Sequence, residues 1–504
     1  MRYIEIMDTT LRDGEQTSGV SFSASEKLAL AQVLLTEVRV DRVEVASARV
    51  SAGELEAVRQ ITRWAEGVGM LDKVEVLTFV DGQASLDWMQ ASGARVMNLL
   101  TKGSLNHLTH QLKKTPAEHF TDIAQVLTDA QRAGFQVNVY LEDWSNGMRN
   151  SPDYVLQFLD FLQTQPIRRV LLPDTLGILT PAESYQFVNQ LVTRFPSLHF
   201  DFHAHNDYDL SVANVMEAIR AGAHGIHLTV NGLGERAGNA PLASTLAVLR
   251  DFMPEVKMGV VEKSLYQVSK IVETFSGLRI PDNKPVVGDN VFTQTAGIHA
   301  DGDKKNNLYF NTLLPERFGR TRSYALGKTS GKANIENNLR ELGIKLSDEE
   351  LKKVTQRVIE LGDQKAVITR EDLPYIIADA LQQAATTARV EVLNYSLTKS
   401  KGLKPSATIQ VRIDDEQFEE NAQGDGQYDA FMNALKKIYS RKQMAFPELT
   451  DYAVRIPTGG HTDALCETII TWRVARREFK TRGLDSDQTV SAIKATQKML
   501  NTLE

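Results

Sequence analysis

The sequence contains almost no cysteine and no large excess of charge of either sign. Cys466 is the one cysteine among 504 residues, which excludes a disulfide framework within the chain and a cysteine-based metal cluster. The formal net charge of −7 provides no basic surface of the kind that binds nucleic acid or an anionic membrane. A lone thiol without a partner suits the reducing cytoplasm.

Long hydrophobic runs are also missing. No apolar segment approaches the roughly 20 residues that cross a bilayer, and the first residues enter a strand-like run without the regions of a signal peptide. We therefore expect a cytoplasmic protein that has neither a membrane nor a nucleic acid as partner. An apolar content of 42% and a charged content of 24% are ordinary for a globular protein, and the length allows several domains.

The first half of the chain alternates short apolar runs with helix-length segments. Such alternation predicts parallel βαβ units, and eight of them predict a (β/α)8 TIM barrel. A doubly wound sheet is the weaker alternative because the G-x-G-x-x-G fingerprint does not follow the first strand. The predicted strands are residues 3–7, 42–46, 73–80, 95–100, 136–141, 169–172, 199–202 and 225–230.

Polar side chains occur at the carboxyl ends of all eight predicted strands, where barrel enzymes place their active sites. His203 and His205 are separated by one residue, so they point to the same face of their strand, and Asp13 follows the first strand. Two imidazoles and one carboxylate predict a divalent-metal site with open positions for a substrate. The competing interpretation is that these are unrelated surface residues.

Beyond the barrel, the pattern predicts a linker, a helical segment and a repeated strand–turn–helix unit. Ser347 and Glu350 form a capping box at the start of one helix. The repeat covers residues 407–438 and 468–500, and we expect its two ββ(β)α units to pack together as a regulatory or a plain dimerisation domain. The predicted domains are 1–277 (barrel), 278–325 (linker subdomain), 326–388 (small helical subdomain) and 389–504 (C-terminal α+β domain).

Three motifs resemble those of the 2-isopropylmalate, homocitrate and citramalate synthase family. They are LRDGEQ at residues 11–16, HAHND at 203–207 and LTVNGLGERAGN at 228–239. The segment LGKTSGK at 326–332 and the C-terminal repeat extend the resemblance over the whole chain. It implies a homodimeric acyltransferase that condenses acetyl-CoA with an α-keto acid and then hydrolyses the thioester.

The resemblance also implies roles for individual residues. Asn239 joins Asp13, His203 and His205 near a metal ion, which could be Mn²⁺, Zn²⁺ or Mg²⁺. Arg12 faces the developing negative charge, and Thr175 holds the carboxylate of the keto acid. Glu142 and His299 form the acid/base pair, with His299 reaching the site of the partner subunit. Glu44 and Tyr309 are the remaining catalytic candidates.

The resemblance also implies that Leu77, Leu100 and Tyr140 line the pocket for the α-keto acid. Three bulky side chains favour the methyl group of pyruvate, and hence an (R)-citramalate product for isoleucine synthesis. A 2-isopropylmalate synthase, which uses 2-oxoisovalerate for leucine synthesis, is the close alternative. A homocitrate synthase comes third, because it needs a basic residue for the distal carboxylate and usually lacks such a regulatory domain.

Two other functions are less well supported. A hydroxymethylglutaryl-CoA lyase would need a reactive cysteine near the barrel mouth. Cys466 instead lies in a predicted strand of the C-terminal repeat, where we expect it to be a small buried apolar residue. A catalytically silent, amino-acid-sensing subunit is disfavoured by the intact set of site residues. The resemblance further implies feedback inhibition by isoleucine or leucine, bound near the turns at 424–426 and 457–461.

Overall fold

The computed structural model describes residues 1–304, 308, 311–363, 368, 370–381, 389–455, 466–474 and 477–502. Its first half is a closed barrel of eight parallel strands, which confirms the predicted (β/α)8 architecture. The strands are buried on both faces and therefore read as nearly continuous apolar runs. They are β1 (Glu5–Asp8), β2 (Arg42–Ser47), β3 (Val74–Phe79), β4 (Val96–Lys102), β5 (Gln136–Glu142), β6 (Arg169–Asp174), β7 (Phe200–Ala204) and β8 (Gly225–Leu228).

A helix follows each barrel strand and covers the outside of the sheet. Local sequence fixes several helix starts, because Ser23, Thr115 and Thr180 each form a capping box with a glutamate three residues later. Proline at the first helical position reinforces two of these starts. The helices are Ala24–Val33, Ala52–Gly67, Ala84–Ser92, Pro116–Arg132, Pro152–Leu162, Pro181–Arg194, Ser211–Ala221 and Leu242–Phe252.

The amino-terminal run differs from its predicted form. The prediction of one strand over residues 3–7 is wrong, because Arg2–Tyr3 pairs with Val256–Lys257 outside the barrel and β1 begins only at Glu5. The backbone amide of Ile4 donates to the carbonyl of Lys257, so the chain changes partners between these two short strands. A distant segment thus decides where the barrel begins.

The described residues form two compact units, which we consider separately. The first contains residues 1–292 and a short return segment that ends at Thr321, and the second contains the others. In the second unit, Gly297–Lys304 is a helix, within the stretch 278–325 for which the sequence predicts a linker subdomain. Three helices, Lys332–Glu341, Asp348–Asp363 and Leu373–Ala380, share a small apolar core. The predicted capping box of Ser347 and Glu350 is confirmed.

The C-terminal repeat forms two antiparallel three-stranded sheets, each followed by a helix. Apolar residues of both units join one core, which confirms that the two repeats pack together. Cys466 is buried at the start of a strand, as expected. The elements are β9 (Val390–Thr398), β10 (Ser406–Ile413), β11 (Glu416–Gln423), helix Gln427–Arg441, β12 (Glu448–Arg455), β13 (Cys466–Val474), β14 (Arg477–Asp485) and helix Gln488–Leu500.

Within the described part of the chain, no helix combines the length and the apolar character that crossing a membrane requires.

Candidate active site and metal centre

Asp13, His203 and His205 meet at the carboxyl ends of β1 and β7. The Nε2 atom of His203 lies 3.1 Å from Asp13 Oδ2, and that of His205 lies 3.7 Å from the same oxygen. All three side chains are buried, and their ligand atoms fall within 4.8 Å of one another. The structure therefore brings together the three residues that the sequence nominated as metal ligands.

The donor atoms of this cluster fit a divalent cation. Among the described residues, no hydrogen-bond partner is found for either carboxylate oxygen of Asp13 or for the buried Asn239 Oδ1. Leaving such buried atoms unpaired is costly unless an ion or a water satisfies them. A cation held at about 2.0–2.2 Å from each ligand spaces those ligands about 3–3.5 Å apart, close to the two measured separations. The arrangement thus suits a metal ion bound by one carboxylate and two imidazoles.

The charge states of the cluster favour the same conclusion. Burial alone would raise the pKa of Asp13, but Arg12 and the two imidazoles hold that pKa well below its usual range. Burial lowers the pKa of His205 to about 4, against the opposing attraction of Asp13. The carboxylate is therefore ionised and the His205 imidazole neutral near pH 7, which are the forms that bind metal ions.

Arg12 is held beside the metal cluster by a buried glutamate. Its Nε atom donates to Glu44 Oε2 at 2.6 Å, and its Nη1 atom lies 3.5 Å from Asp13 Oδ2. Glu44 is fully buried and also accepts a hydrogen bond from Asn98 Nδ2 at 2.7 Å. Burial opposes the charge of Arg12, but the two carboxylates raise the pKa of the guanidinium above its usual value. Arg12 is thus a fixed cation, and Glu44 is placed to orient it.

The three pocket residues predicted from the sequence form one cluster inside the barrel. Leu77 and Tyr140 are buried there, and Leu100 packs against them. Leu100 and Leu171 are the register neighbours of Tyr140 on β4 and β6. Sequence reasoning missed Leu171 and also Met7, which belongs to the same cluster. Inward-facing barrel residues form rows across neighbouring strands, so the register of Tyr140 would have identified Leu171.

Glu142 stands opposite Lys102 at the ends of β5 and β4. The two side chains form an ion pair, in which Lys102 is nearly buried and Glu142 is more exposed. The hydroxyl oxygen of Thr175 accepts a hydrogen bond from the backbone amide of Asp143 at 2.9 Å. That contact leaves the Thr175 hydroxyl proton available for another acceptor, such as a substrate carboxylate. Lys102 is one of the polar residues at the strand ends, but sequence reasoning assigned it no role of its own.

The glycine-rich loop after β8 is anchored to the loops after β6 and β7. Arg236 donates to Asp207 Oδ1 at 2.8 Å and to the carbonyl of Thr175 at 2.7 Å. The amide of Asn239 donates to the carbonyl of Leu233 at 3.1 Å, and its backbone forms a bridge with that of His205. Gly238 has φ +82°, and a Cβ there would lie 1.9 Å from the carbonyl oxygen of Gly232. This glycine is therefore required by the packing of the loop itself.

The remaining candidates belong to the second unit. His299 lies in the helix Gly297–Lys304 and is half-buried. Its catalytic role stays a prediction. Tyr309 lies outside the described residues, as does the turn at 457–461 that was nominated for effector binding.

Comparison with known proteins covers the whole chain. Residues 3–272 match the family described as HMGL-like, 286–366 match the homocitrate synthase post-HMGL domain-like family, and 367–504 match the LeuA allosteric (dimerisation) domain. The (R)-citramalate synthase CimA of Methanocaldococcus jannaschii is 33% identical over 99% of both chains. A 2-isopropylmalate synthase of Methylorubrum populi is 32% identical, over 99% of this chain and 95% of its own length. Hydroxymethylglutaryl-CoA lyase from Pseudomonas aeruginosa shares 18% identity at a TM-score of 0.49, covering 55% of this chain and 95% of its own.

A TIM barrel followed by a LeuA-type domain defines the class of protein, and the chain belongs to the HMGL-like family that includes the citramalate and 2-isopropylmalate synthases. It is an enzyme, an acyltransferase that uses acetyl-CoA. The reaction class is the condensation of acetyl-CoA with an α-keto acid.

Proposed function

We propose that the chain is an (R)-citramalate synthase, which condenses acetyl-CoA with pyruvate in isoleucine biosynthesis. The observation that carries this proposal is the apolar cluster inside the barrel, where Leu77, Leu100 and Tyr140 are joined by Met7 and Leu171. We infer that five large side chains packed together leave room for a methyl group and little more. A branched side chain such as that of 2-oxoisovalerate would require some of them to move, which is costly in a close-packed interior.

The site residues divide the chemistry among them. Asp13, His203 and His205, with Asn239 nearby, would hold a divalent cation, Mn²⁺, Zn²⁺ or Mg²⁺, that polarises the keto carbonyl when bound. The hydroxyl of Thr175 donates to the carboxylate of the keto acid.

Charge and proton transfer fall to the other residues. Glu142 removes a proton from the methyl group of acetyl-CoA, and Arg12, oriented by Glu44, stabilises the negative charge that develops on oxygen. His299 of the partner subunit, as the acid, donates a proton of its own to the alkoxide oxygen that forms when the new carbon–carbon bond is made, while the abstracted proton stays on Glu142 until it is released to water; Tyr309 assists from the same segment. A water molecule then hydrolyses the thioester and releases CoA.

A direct test is the release of CoA from acetyl-CoA, followed with a thiol reagent. With a divalent cation present, we expect a kcat/KM for pyruvate well above that for 2-oxoisovalerate. The reverse preference would assign the chain to leucine synthesis as a 2-isopropylmalate synthase and overturn the proposed pocket. If no α-keto acid supports metal-dependent CoA release, the alternative of a silent amino-acid-sensing subunit is favoured instead.

We further propose a cytoplasmic homodimer with a division of labour along the chain. Residues 1–277 carry catalysis, 278–325 carry the segment that completes the partner's site, 326–388 form a spacer, and 389–504 bind an amino-acid effector. The match of residues 367–504 to the LeuA allosteric (dimerisation) domain supports the last assignment.

Regulation by this domain can be tested with a shortened chain. We expect isoleucine, or leucine for the alternative function, to inhibit the full-length enzyme, and we expect that inhibition to disappear when residues 390–504 are deleted. Inhibition that survives the deletion, measured as CoA release against effector concentration, would place the effector site elsewhere.

A further inference from the structure

A line of buried polar side chains runs from Arg12, at the carboxyl ends of the strands, into the barrel. Arg12 Nη2 lies 3.4 Å from the hydroxyl of Tyr140, and that hydroxyl lies 3.0 Å from His227 Nδ1. His227 Nε2 in turn lies 3.3 Å from Asp201 Oδ2. His227, on β8, is 1% exposed, and none of the roles assigned above includes it.

The partners of His227 decide which way each proton points. The carboxylate of Asp201 is ion-paired with the guanidinium of Arg42 and accepts hydrogen bonds. His227 Nε2 faces the same carboxylate oxygen and therefore carries the proton that it donates there. Nδ1 is then the nitrogen that accepts from the hydroxyl of Tyr140.

The hydroxyl of Tyr140 has one proton, and His227 Nδ1 is its nearest acceptor. Glu44 Oε2 lies farther away, at 3.4 Å, and already accepts from Arg12. With its proton given to His227, the Tyr140 oxygen offers only lone pairs, which face Arg12. The aromatic ring is further fixed by edge-to-face contacts with His227 and His203, whose ring centroids lie 5.6 Å and 6.3 Å away.

Tyr140 thus differs from the other members of the pocket cluster. The three leucines have no polar side-chain group, whereas the ring of Tyr140 is also fixed at its far end by the hydrogen bonds of its hydroxyl. Its position sets the distance across the cluster to Leu77 and Leu171, and a displacement of the ring would enlarge the space for a substrate side chain.

We propose that His227 is a positioning residue that fixes the ring of Tyr140 and thereby limits the size of α-keto acid that the site accepts. This inference rests on the proposed function, because it assumes that the Tyr140 cluster receives the side chain of the keto acid. His227 acts only through Tyr140 and touches no substrate.

The test compares kcat/KM for pyruvate with kcat/KM for 2-oxobutanoate, which has one more methylene group. The ratio of the two does not depend on the fraction of active enzyme, so a partly unfolded preparation does not distort it. His227→Leu removes both hydrogen bonds of the imidazole. His227→Asn keeps an oxygen close to the position of Nδ1 that can accept from Tyr140. Tyr140→Phe keeps the ring and removes the hydroxyl.

We expect His227→Leu and Tyr140→Phe each to lower the ratio about tenfold, the scale on which one methylene group is discriminated. The double variant should lower it no further, because both changes break the same hydrogen bond. His227→Asn should stay within about twofold of the wild type. The matched control is His224→Asn, at the residue just before β8. His224 Nδ1 accepts from the backbone amide of Phe200, and the variant should leave the ratio unchanged.

Two results would overturn the inference. One is a folded His227→Leu variant whose ratio of kcat/KM values equals that of the wild type. The other is a double variant in which the ratio falls by the product of the two single effects. If His227→Leu does not fold, Tyr140→Phe provides the test. An unchanged ratio of kcat/KM values in Tyr140→Phe would also overturn the inference. Failure of the proposed function is a separate result, namely a wild-type enzyme that prefers 2-oxoisovalerate. In that case, the variants are compared by the ratio of kcat/KM for 2-oxoisovalerate to kcat/KM for 2-oxobutanoate.

Discussion

Asp13 carries the negative charge of the metal cluster, and Arg12 and the two imidazoles surround it. Replacement by asparagine keeps the size of the side chain and removes the charge. We expect Asp13→Asn to weaken binding of Mn²⁺ at least about 100-fold, because even residues that only orient metal ligands contribute 10–100-fold. Isothermal titration calorimetry measures this directly. Asp153→Asn, at an exposed position, is the control, and unchanged Mn²⁺ affinity in Asp13→Asn would refute the metal site.

His119 is a buried histidine outside the metal cluster, and its Nε2 accepts from the backbone amide of Lys102. Burial lowers its pKa to about 4, below the ordinary value of about 6.5. The unfolded chain therefore binds more protons than the folded one between these pH values, so the contribution of His119 to stability falls as the pH falls through that window.

The direction of this pH dependence can be tested with His119→Gln. Glutamine keeps a hydrogen-bond acceptor but has no group that titrates in this pH range. Between pH 7.5 and pH 5.0, the wild type should lose about 2 kcal/mol more of its free energy of unfolding than the variant does. Urea denaturation at the two pH values, monitored by tryptophan fluorescence, provides the comparison. Equal losses in the two proteins would contradict the prediction.

The metal residues were predictable from sequence, and the buried pair of His227 and Asp201 in the barrel interior was not. Histidines two positions apart lie on the same face of a strand, so the spacing of His203 and His205 was enough to predict that they act together. His227 and Asp201 lie on different strands, and their pairing depends on the barrel register, which a single sequence does not contain. Buried polar residues in the middle of strands were the signal available.

At the scale of elements, strand register places Lys102 opposite Glu142. The pair depends on β4 and β5 ending together, because a shift of one strand by one residue would leave the two side chains on opposite faces of the sheet. Lys102 therefore orients the carboxylate that we propose as the base.

We expect Lys102→Met to lower kcat for pyruvate about tenfold or more, since a misplaced base forfeits part of the 10²–10⁴-fold that proton transfer contributes. Lys102→Arg should retain most of the activity, because the cation remains. Steady-state CoA release tests both variants, with the exposed Lys114→Met as a control for the loss of one positive charge. Full activity in Lys102→Met would show that Glu142 needs no partner.

The elements themselves follow closely from sequence where local signals agree. The capping box of Ser347 and Glu350 is found where it was predicted, and the barrel strands after the first overlap their predicted ranges. The exceptions depend on distant contacts, as for Arg2–Tyr3, which pairs with Val256–Lys257. The helix Gly297–Lys304 contains two glycines, so its propensity is poor, and sequence alone did not predict it.

At the scale of the whole molecule, the proposed exchange of His299 between subunits can be tested by complementation. Asp13→Asn and His299→Ala should each be inactive as homodimers. In a mixed dimer, one site combines both defects, and the other has neither. After subunits are exchanged at equal concentrations, half of the dimers are mixed, so about a quarter of the wild-type activity should return. No recovery, in a preparation shown by mass spectrometry to contain mixed dimers, would indicate that each chain completes its own site.

The interior of the barrel contains charges as well as apolar side chains, with Arg42 paired to both Glu75 and Asp201. Loss of one member of such a buried pair leaves an uncompensated charge, which costs about 3–5 kcal/mol. Aliphatic swaps among Leu77, Leu100 and Leu171 cost less than about 1.5 kcal/mol. In evolutionary terms, the substrate range of this enzyme can drift by single substitutions, whereas the framework beneath the pocket can change only through coordinated pairs.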